Sequence, residues 1–279
     1  MKTLKERGYQ YPLNLGYDRE AYRLRAAYML ENNDLLPAVA QPTTVEVLKT
    51  LYGEEFGLEV KYKDGLLERL NAYGAAASIE GTGPQIYLDK SLLDGSTPTL
   101  RKLHLSTLAH ELGHAFLHYE EIRMRAAALT DKESAFMKKE VCPHAYWLTY
   151  LQEREGRKRP LSQSEFTEYQ ANQIMVGLLM PFSTLYNQAA QIIKFKLECL
   201  HHEYGWERDY AILARPHEVF DFAVNQISDC YQVSKQMAAF ELYRIMGNKD
   251  LSRIFQGITP ADPIEKRPVR RCKEYGYIN

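Results

Sequence analysis

Residues 108–118 read LAHELGHAFLH, and the five letters His110-Glu111-Leu112-Gly113-His114 at its centre decide how the rest of the chain is read. Around them Leu105, Leu108, Leu112, Ala115 and Phe116 recur at helical spacing and form one stripe, with His110 and His114 on a different side. No proline interrupts Leu103 to Tyr119, so a continuous helix is expected there. Residues four apart on a helix share a face, with Cβ atoms about 5–6 Å apart. Two imidazoles at that spacing can each place a ring nitrogen about 2.0–2.1 Å from a single zinc ion. Glu111 is turned roughly 100° from His110, so it need not bind the metal but can reach a water held in an open fourth position. Zinc lowers the pKa of such a water toward about 7, and the carboxylate can take its proton as general base while the hydroxide attacks a carbonyl. A peptide bond is the natural target. The plain alternative is two histidines on a solvated helix face.

Zinc needs about four donors with one position left open, so a third protein ligand must come from elsewhere. His118 fails on geometry, because about 12 Å of helix axis separates it from His110. It can instead be a hydrogen-bonding group behind a ligand, a group near the substrate, or a surface histidine. Glu168 is the better candidate. It opens Glu168-Tyr169-Gln170-Ala171-Asn172, which runs through Gln173 to Leu179 ahead of Met180-Pro181 and reads as a second amphipathic helix ending before a proline. Glu168 and Asn172 share a face, while Ala171, Ile174, Met175 and Leu178 supply the packing side. The carboxylate is then free to point at the metal and the Asn172 amide to steady a neighbouring group. Glu165 and His144 are competing ligands, and a merely solvated Glu168 is the plain alternative.

The two blocks HELGHAFLH and EYQANQIMVGLLMP together resemble the ImmA/IrrE group of zinc metallopeptidases, in which an HExxH helix is followed by a helix bearing E-x-x-A-N and a trailing L-L-M-P. The resemblance implies that His110, His114 and Glu168 hold zinc and that Glu111 is the catalytic base. It extends to Ala75–Ile79 and Ile86–Leu88, which look like the short strands before the zinc helix, and to Tyr231–Gly247, which looks like the helix that commonly follows the second block. It also implies a protein substrate, since members often inactivate a transcriptional repressor by cleavage. Two features depart from the pattern. His110 and Glu168 are 58 residues apart, which marks Arg123 to Pro160 as an insertion, helical from Lys132 to Leu151 and a candidate lid or partner surface. The arm before Thr43 has no counterpart.

Composition bounds the remaining choices. The chain has 279 residues, enough for one substantial core or a core with an appendage. Lys and Arg total 35 against 36 Asp and Glu, a net charge of −1 that argues against nucleic acid as the partner. Cys142, Cys199, Cys230 and Cys272 form no CxxC pair, and the first residues lack an apolar signal segment, so a cytoplasmic protein with free thiols is expected. No apolar run approaches the roughly 20 residues needed to cross a bilayer.

The fold class expected is α+β and predominantly α-helical, with a small antiparallel sheet ahead of the active-site helix and a helical C-terminal region. The organisation expected is an arm over 1–42, a metallopeptidase-like domain over 43–190 with the insertion at about 123–160, and helices plus a tail over 191–279. Asp18 to Glu31 is expected as a helix within the arm. Pro42-Thr43-Thr44-Val45-Glu46 carries a capping-box signal opening a helix to about Leu51. Leu58 to Lys63 reads as a half-buried strand and Leu66 to Ala72 as a short helix. Ala75 to Glu80 and Gln85 to Leu88 read as a hairpin around Gly81-Thr82-Gly83-Pro84. Gln85 to Leu88 is the candidate exposed edge for an extended substrate, with a plain structural hairpin as the alternative. Ser183 to Tyr204, His217 to Cys230 and Ser234 to Met246 are expected helices. The last two form a helix-turn-helix-like pair in which Lys235 and Arg244 are the only strong phosphate contacts, and core packing is the favoured role.

Function follows as an expectation: a zinc-dependent endopeptidase of restricted specificity, cleaving a regulatory protein such as a repressor. The rivals are a zinc-binding regulatory or sensor protein without catalysis, and a DNA-binding regulator using the C-terminal helix pair. Tyr146, Tyr169 and His118 are all conceivable oxyanion donors.

Overall fold

Apolar residues at helical spacing become the two helices on which the first of two units is built. In the structure, a computed structural model, residues 44–70, 72–77, 85–118, 122, 163–207, 210–211 and 214–247 are described. The expected arm with its helix, the hairpin turn, the insertion with its helix, His144, Tyr146 and the tail lie outside them. The described residues up to Pro181 form one compact unit and those from Phe182 onward a second.

The first unit runs α1 (Val45–Phe56), β1 (Val60–Lys63), α2 (Leu66–Leu70), β2 (Gly74–Ala77), β3 (Gln85–Asp89), a 3-10 turn (Lys90–Leu93), α3 (Pro98–Leu117) and α4 (Gln163–Leu179). It is α+β, mostly helical, with one small sheet. Strands β2 and β3 pair antiparallel, as expected, with Ala75 opposite Tyr87. The sheet as a whole is mixed, because β1 joins β3 in parallel, Lys61 opposite Tyr87, by crossing over through α2 and β2. Strand order β1-β3-β2 makes β3 the central strand. The expectation that Gln85 to Leu88 offers an exposed edge is therefore overturned: both sides of β3 are hydrogen-bonded, and Ile86 and Leu88 are fully buried.

The helix N-termini also differ from expectation. Thr44 caps α1, its Oγ1 accepting from the Val47 N–H at 3.2 Å. The residue three beyond this cap is Val47, so the cap seen is Thr44 rather than the Thr43 that the Glu46 spacing implies. Helix α3 starts at Pro98, five residues before the expected Leu103, with Thr97 Oγ1 accepting from Leu100 N–H at 3.2 Å. Threonine at the cap followed by proline in the first turn is a start signal in its own right.

Asp89 ties the end of the sheet to its neighbours. Its carboxylate accepts from Ser91 N–H at 2.9 Å, from the Ser91 hydroxyl at 2.6 Å and from Leu67 N–H at 2.9 Å, joining the end of β3 to the start of α2. Burial pushes its pKa up, but these hydrogen bonds outweigh burial together and hold the carboxyl below its ordinary value. A depressed folded-state pKa contributes stability that is present above the unfolded value, near about 3.9, and lost as pH falls through the folded one. Asp89→Asn is expected to cost about 1–2 kcal/mol at neutral pH, a deficit that shrinks below about pH 4. Urea unfolding of both proteins at pH 7 and pH 3 checks it; a deficit equal at both pH values would contradict it.

Helix α3 packs against α1, β2 and β3, and most extensively against α4. As a result its C-terminal half is not half-solvated, as an amphipathic reading suggests: every residue from Thr107 to His118 is buried, the polar ones included, while the first turns stay partly exposed. Leu108, Leu112, Ala115 and Phe116 are each 0% exposed and form the expected stripe. On α4, Ala171, Ile174 and Leu178 are buried to the same degree.

The second unit comprises α5 (Phe182–Tyr204), α6 (Pro216–Cys230) and α7 (Lys235–Gly247), close to the boundaries expected. Helix α6 packs against both α5 and α7. Ser228 Oγ donates to Val233 O at 2.7 Å across the α6–α7 turn, and Ser234 Oγ caps α7 by accepting from Met237 N–H at 3.1 Å. Ala238, Leu242 and Ile245 are fully buried, and Arg244 is held at 2.8 Å by the buried Glu241 carboxylate. Among the described residues no helix is long and apolar enough to cross a membrane.

Candidate metal centre

Two helices from distant parts of the sequence approach at Gly113 of α3. A Cβ at that position would lie 2.7 Å from the Ala171 carbonyl oxygen and 3.0 Å from Ala171 Cα on α4. Backbone touches backbone here, which only glycine permits, and the residues flanking the crossing are brought into reach of one another. Ala171 sits in the contact itself, with Glu168 one turn earlier and Asn172 next in line.

Three side chains converge beside this crossing. His110 Nε2 lies 3.1 Å from Glu168 Oε2, His114 Nε2 lies 3.3 Å from Glu168 Oε1, and the two Nε2 atoms are 3.0 Å apart. All three residues are buried, at 0%, 4% and 5% exposure for His110, His114 and Glu168. Among the described residues they form a His-His-Glu group able to hold a metal ion. Donors about 2.0–2.1 Å from one tetrahedral ion lie about 3.3 Å from each other, so the observed spacings match the shell of one zinc-sized cation.

Protonation strengthens that match. His110 Nδ1 is 3.0 Å from Asn172 Oδ1, an oxygen that can only accept, so Nδ1 carries the proton. His110 Nε2 is then bare, its lone pair turned toward a carboxylate and a second imidazole nitrogen. A cation placed among the three would satisfy all of these lone pairs at once, where a proton on His114 Nε2 would satisfy only part of them. The donor set, two neutral imidazoles and a carboxylate, is one that suits zinc and is common to catalytic zinc sites.

The crossing fixes where each expected site residue lies. His110, His114 and Glu168 are brought together, and the Asn172 amide oxygen contacts His110 Nδ1. His118 is away from the three-atom cluster, as its distance along the helix requires; it is buried, with its Nδ1 3.3 Å from His114 Nδ1 and its Nε2 3.1 Å from Gln170 Oε1. Tyr169 is buried, and the Glu165 side chain falls outside the described residues. Glu111 is 0% exposed and lies against the first residue of β2: a Cβ on Gly74 would be 2.7 Å from Glu111 Cγ and 3.1 Å from its Oε1. Neither glycine contact is visible in the sequence, because each depends on which element crosses which. Gln170, too, carries no local signal beyond its place in the E-x-x-A-N block.

Comparison with protein-family models, with curated proteins and with solved structures finds no match for this chain.

Proposed function

We propose that this chain is a zinc-dependent endopeptidase of restricted specificity that cleaves a regulatory protein such as a transcriptional repressor. The observation that carries the reading is the convergence of His110 Nε2, His114 Nε2 and the Glu168 carboxylate within 3.0–3.3 Å of one another, directly beside the helix turn that holds Glu111. When bound there, zinc supplies Lewis acidity toward water and a carbonyl. His110, His114 and Glu168 hold and orient it, and Asn172 fixes the His110 tautomer. Glu111 takes the proton of the attacking water and returns it to the leaving amine. Restricted specificity and the repressor as target come from the resemblance of the two sequence blocks to metallopeptidases of the ImmA/IrrE type.

One observation favours a second reading, in which the same residues hold zinc without catalysis: Glu111 is completely buried against Gly74. The DNA-binding reading has less behind it, because the Arg244 guanidinium is engaged by Glu241. Metal removal tests the enzyme reading directly. The purified chain is expected to carry zinc by elemental analysis and to cut a co-purifying or added partner at a single site. A chelator should abolish that cut and added zinc restore it. A chain that is metal-free and takes up no zinc would sink the proposal, whereas stable zinc uptake with no new protein termini would favour the quiet regulator.

A further inference from the structure

His114 lies in the last turn of α3 and His118, four residues on, caps the helix C-terminus, while Gln170 reaches His118 from α4. The three side chains make a chain of hydrogen bonds whose direction is set by the chemistry of its last member. Gln170 Oε1 can only accept, so the proton between it and His118, at 3.1 Å, belongs to His118 Nε2. A neutral His118 protonated at Nε2 has a bare Nδ1. The 3.3 Å contact between His118 Nδ1 and His114 Nδ1 therefore takes its proton from His114. With Nδ1 protonated, His114 turns an unprotonated Nε2 toward His110 and Glu168, the state needed to ligate a cation. All three residues are buried, at 4%, 7% and 5% exposure for His114, His118 and Gln170, so solvent does not compete strongly for these hydrogen bonds.

We propose that His118 is a positioning residue of the metal centre, an imidazole acceptor that fixes His114 in its metal-binding tautomer and is itself fixed by Gln170. The inference rests on the metal-centre reading and deepens it. The two ligand histidines are then held by different means, His110 by the Asn172 amide and His114 by a second imidazole. Both supports lean on α4, so the helix that brings Glu168 also sets the ring orientation and tautomer of both histidines. Groups of this kind usually change metal affinity by about 10–100-fold when removed.

The position of the acceptor atom gives a discriminating test. Asparagine places Oδ1 where histidine has Nδ1, whereas the longer glutamine carries its oxygen one bond farther out, although it fills more of the space. His118→Asn should therefore bind zinc within roughly threefold of the unaltered chain, and His118→Gln and His118→Ala should bind about 10–100-fold more weakly, each measured by competition with a chromophoric chelator. Purely structural packing predicts the reverse order for the two amides, so glutamine equal to or better than asparagine would overturn the proposal. A long-range proton–nitrogen spectrum of the zinc-loaded, unaltered chain provides a check that needs no variant. A proton on His114 Nδ1 is expected, and a bare Nδ1 there overturns the proposal. Zinc bound equally by all forms defeats the role of His118 and leaves the metal centre standing. Failure of the unaltered chain to bind zinc defeats both.

Discussion

Glu111→Gln is expected to keep its zinc and lose its cleavage. The substitution replaces a carboxylate by an amide of nearly the same shape, so packing against Gly74 changes little. Glu111 is not among the three groups that converge on the metal position, so binding should remain close to that of the unaltered chain. An amide cannot accept the proton of the attacking water, and general-base catalysis is worth about 10²–10⁴ in rate. That factor corresponds to about 3–5.5 kcal/mol of lost transition-state stabilisation. Elemental analysis and initial cleavage rates of the two proteins, loaded with zinc under the same conditions, check both halves. Undiminished cleavage by the variant would remove Glu111 from the reaction, and loss of zinc together with activity would show that the residue supports the site rather than the chemistry.

The second large effect should come from a residue that touches neither metal nor substrate. Gly113→Ala puts a methyl group where the Ala171 carbonyl oxygen is 2.7 Å away and its Cα 3.0 Å away, and both are backbone atoms that cannot rotate aside. Helix propensity favours alanine over glycine by about 1 kcal/mol. Overpacking in a close-packed interior costs about 1–3 kcal/mol, and a clash with backbone belongs at the upper end. The clash wins, so a net loss of about 1–2 kcal/mol is expected. The metal should report it more sharply, because relief requires α3 and α4 to separate and Glu168 to draw away from the two histidines. Zinc affinity is expected to fall at least tenfold, in the range seen when groups that orient metal ligands are lost. Thermal unfolding of the metal-free protein and chelator competition separate the two effects. A variant more stable than the parent, with unchanged affinity, would mean that the helices do not touch as described.

The contrast between these two residues shows how much of the molecule could be read from its sequence. Glu111, His110 and His114 lie within five letters, and their relation depends only on the helical repeat, which a local pattern reveals. Glu168 was accessible for a similar reason: its own helix announces itself by spacing and by the proline at 181, although 58 residues separate it from His110. The helices of the second unit were found by the same periodicity. The sheet was harder. A hairpin is a local object, but the parallel seat of β1 beside β3 depends on a crossover, so nothing in Gln85 to Leu88 reveals that both of its sides are occupied. The start of α3 is marked by Thr97-Pro98 rather than by the apolar stripe, which begins only later. The roles of Gly74, Gly113 and Gln170 arise where distant elements meet, and composition leaves no trace of such meetings.

The missing side chain at Gly74 links strand pairing to reactivity. Because the Glu111 arm rests directly on the first residue of β2, sliding that ribbon by one place along its neighbour would present an alanine methyl to the acid and turn alternate residues to the opposite face. Under the endopeptidase proposal, the register of β2 thus sets the position of the Glu111 carboxylate. On that proposal, drift in the alignment would displace the reactive carboxylate while most of the hydrophobic interior stayed intact.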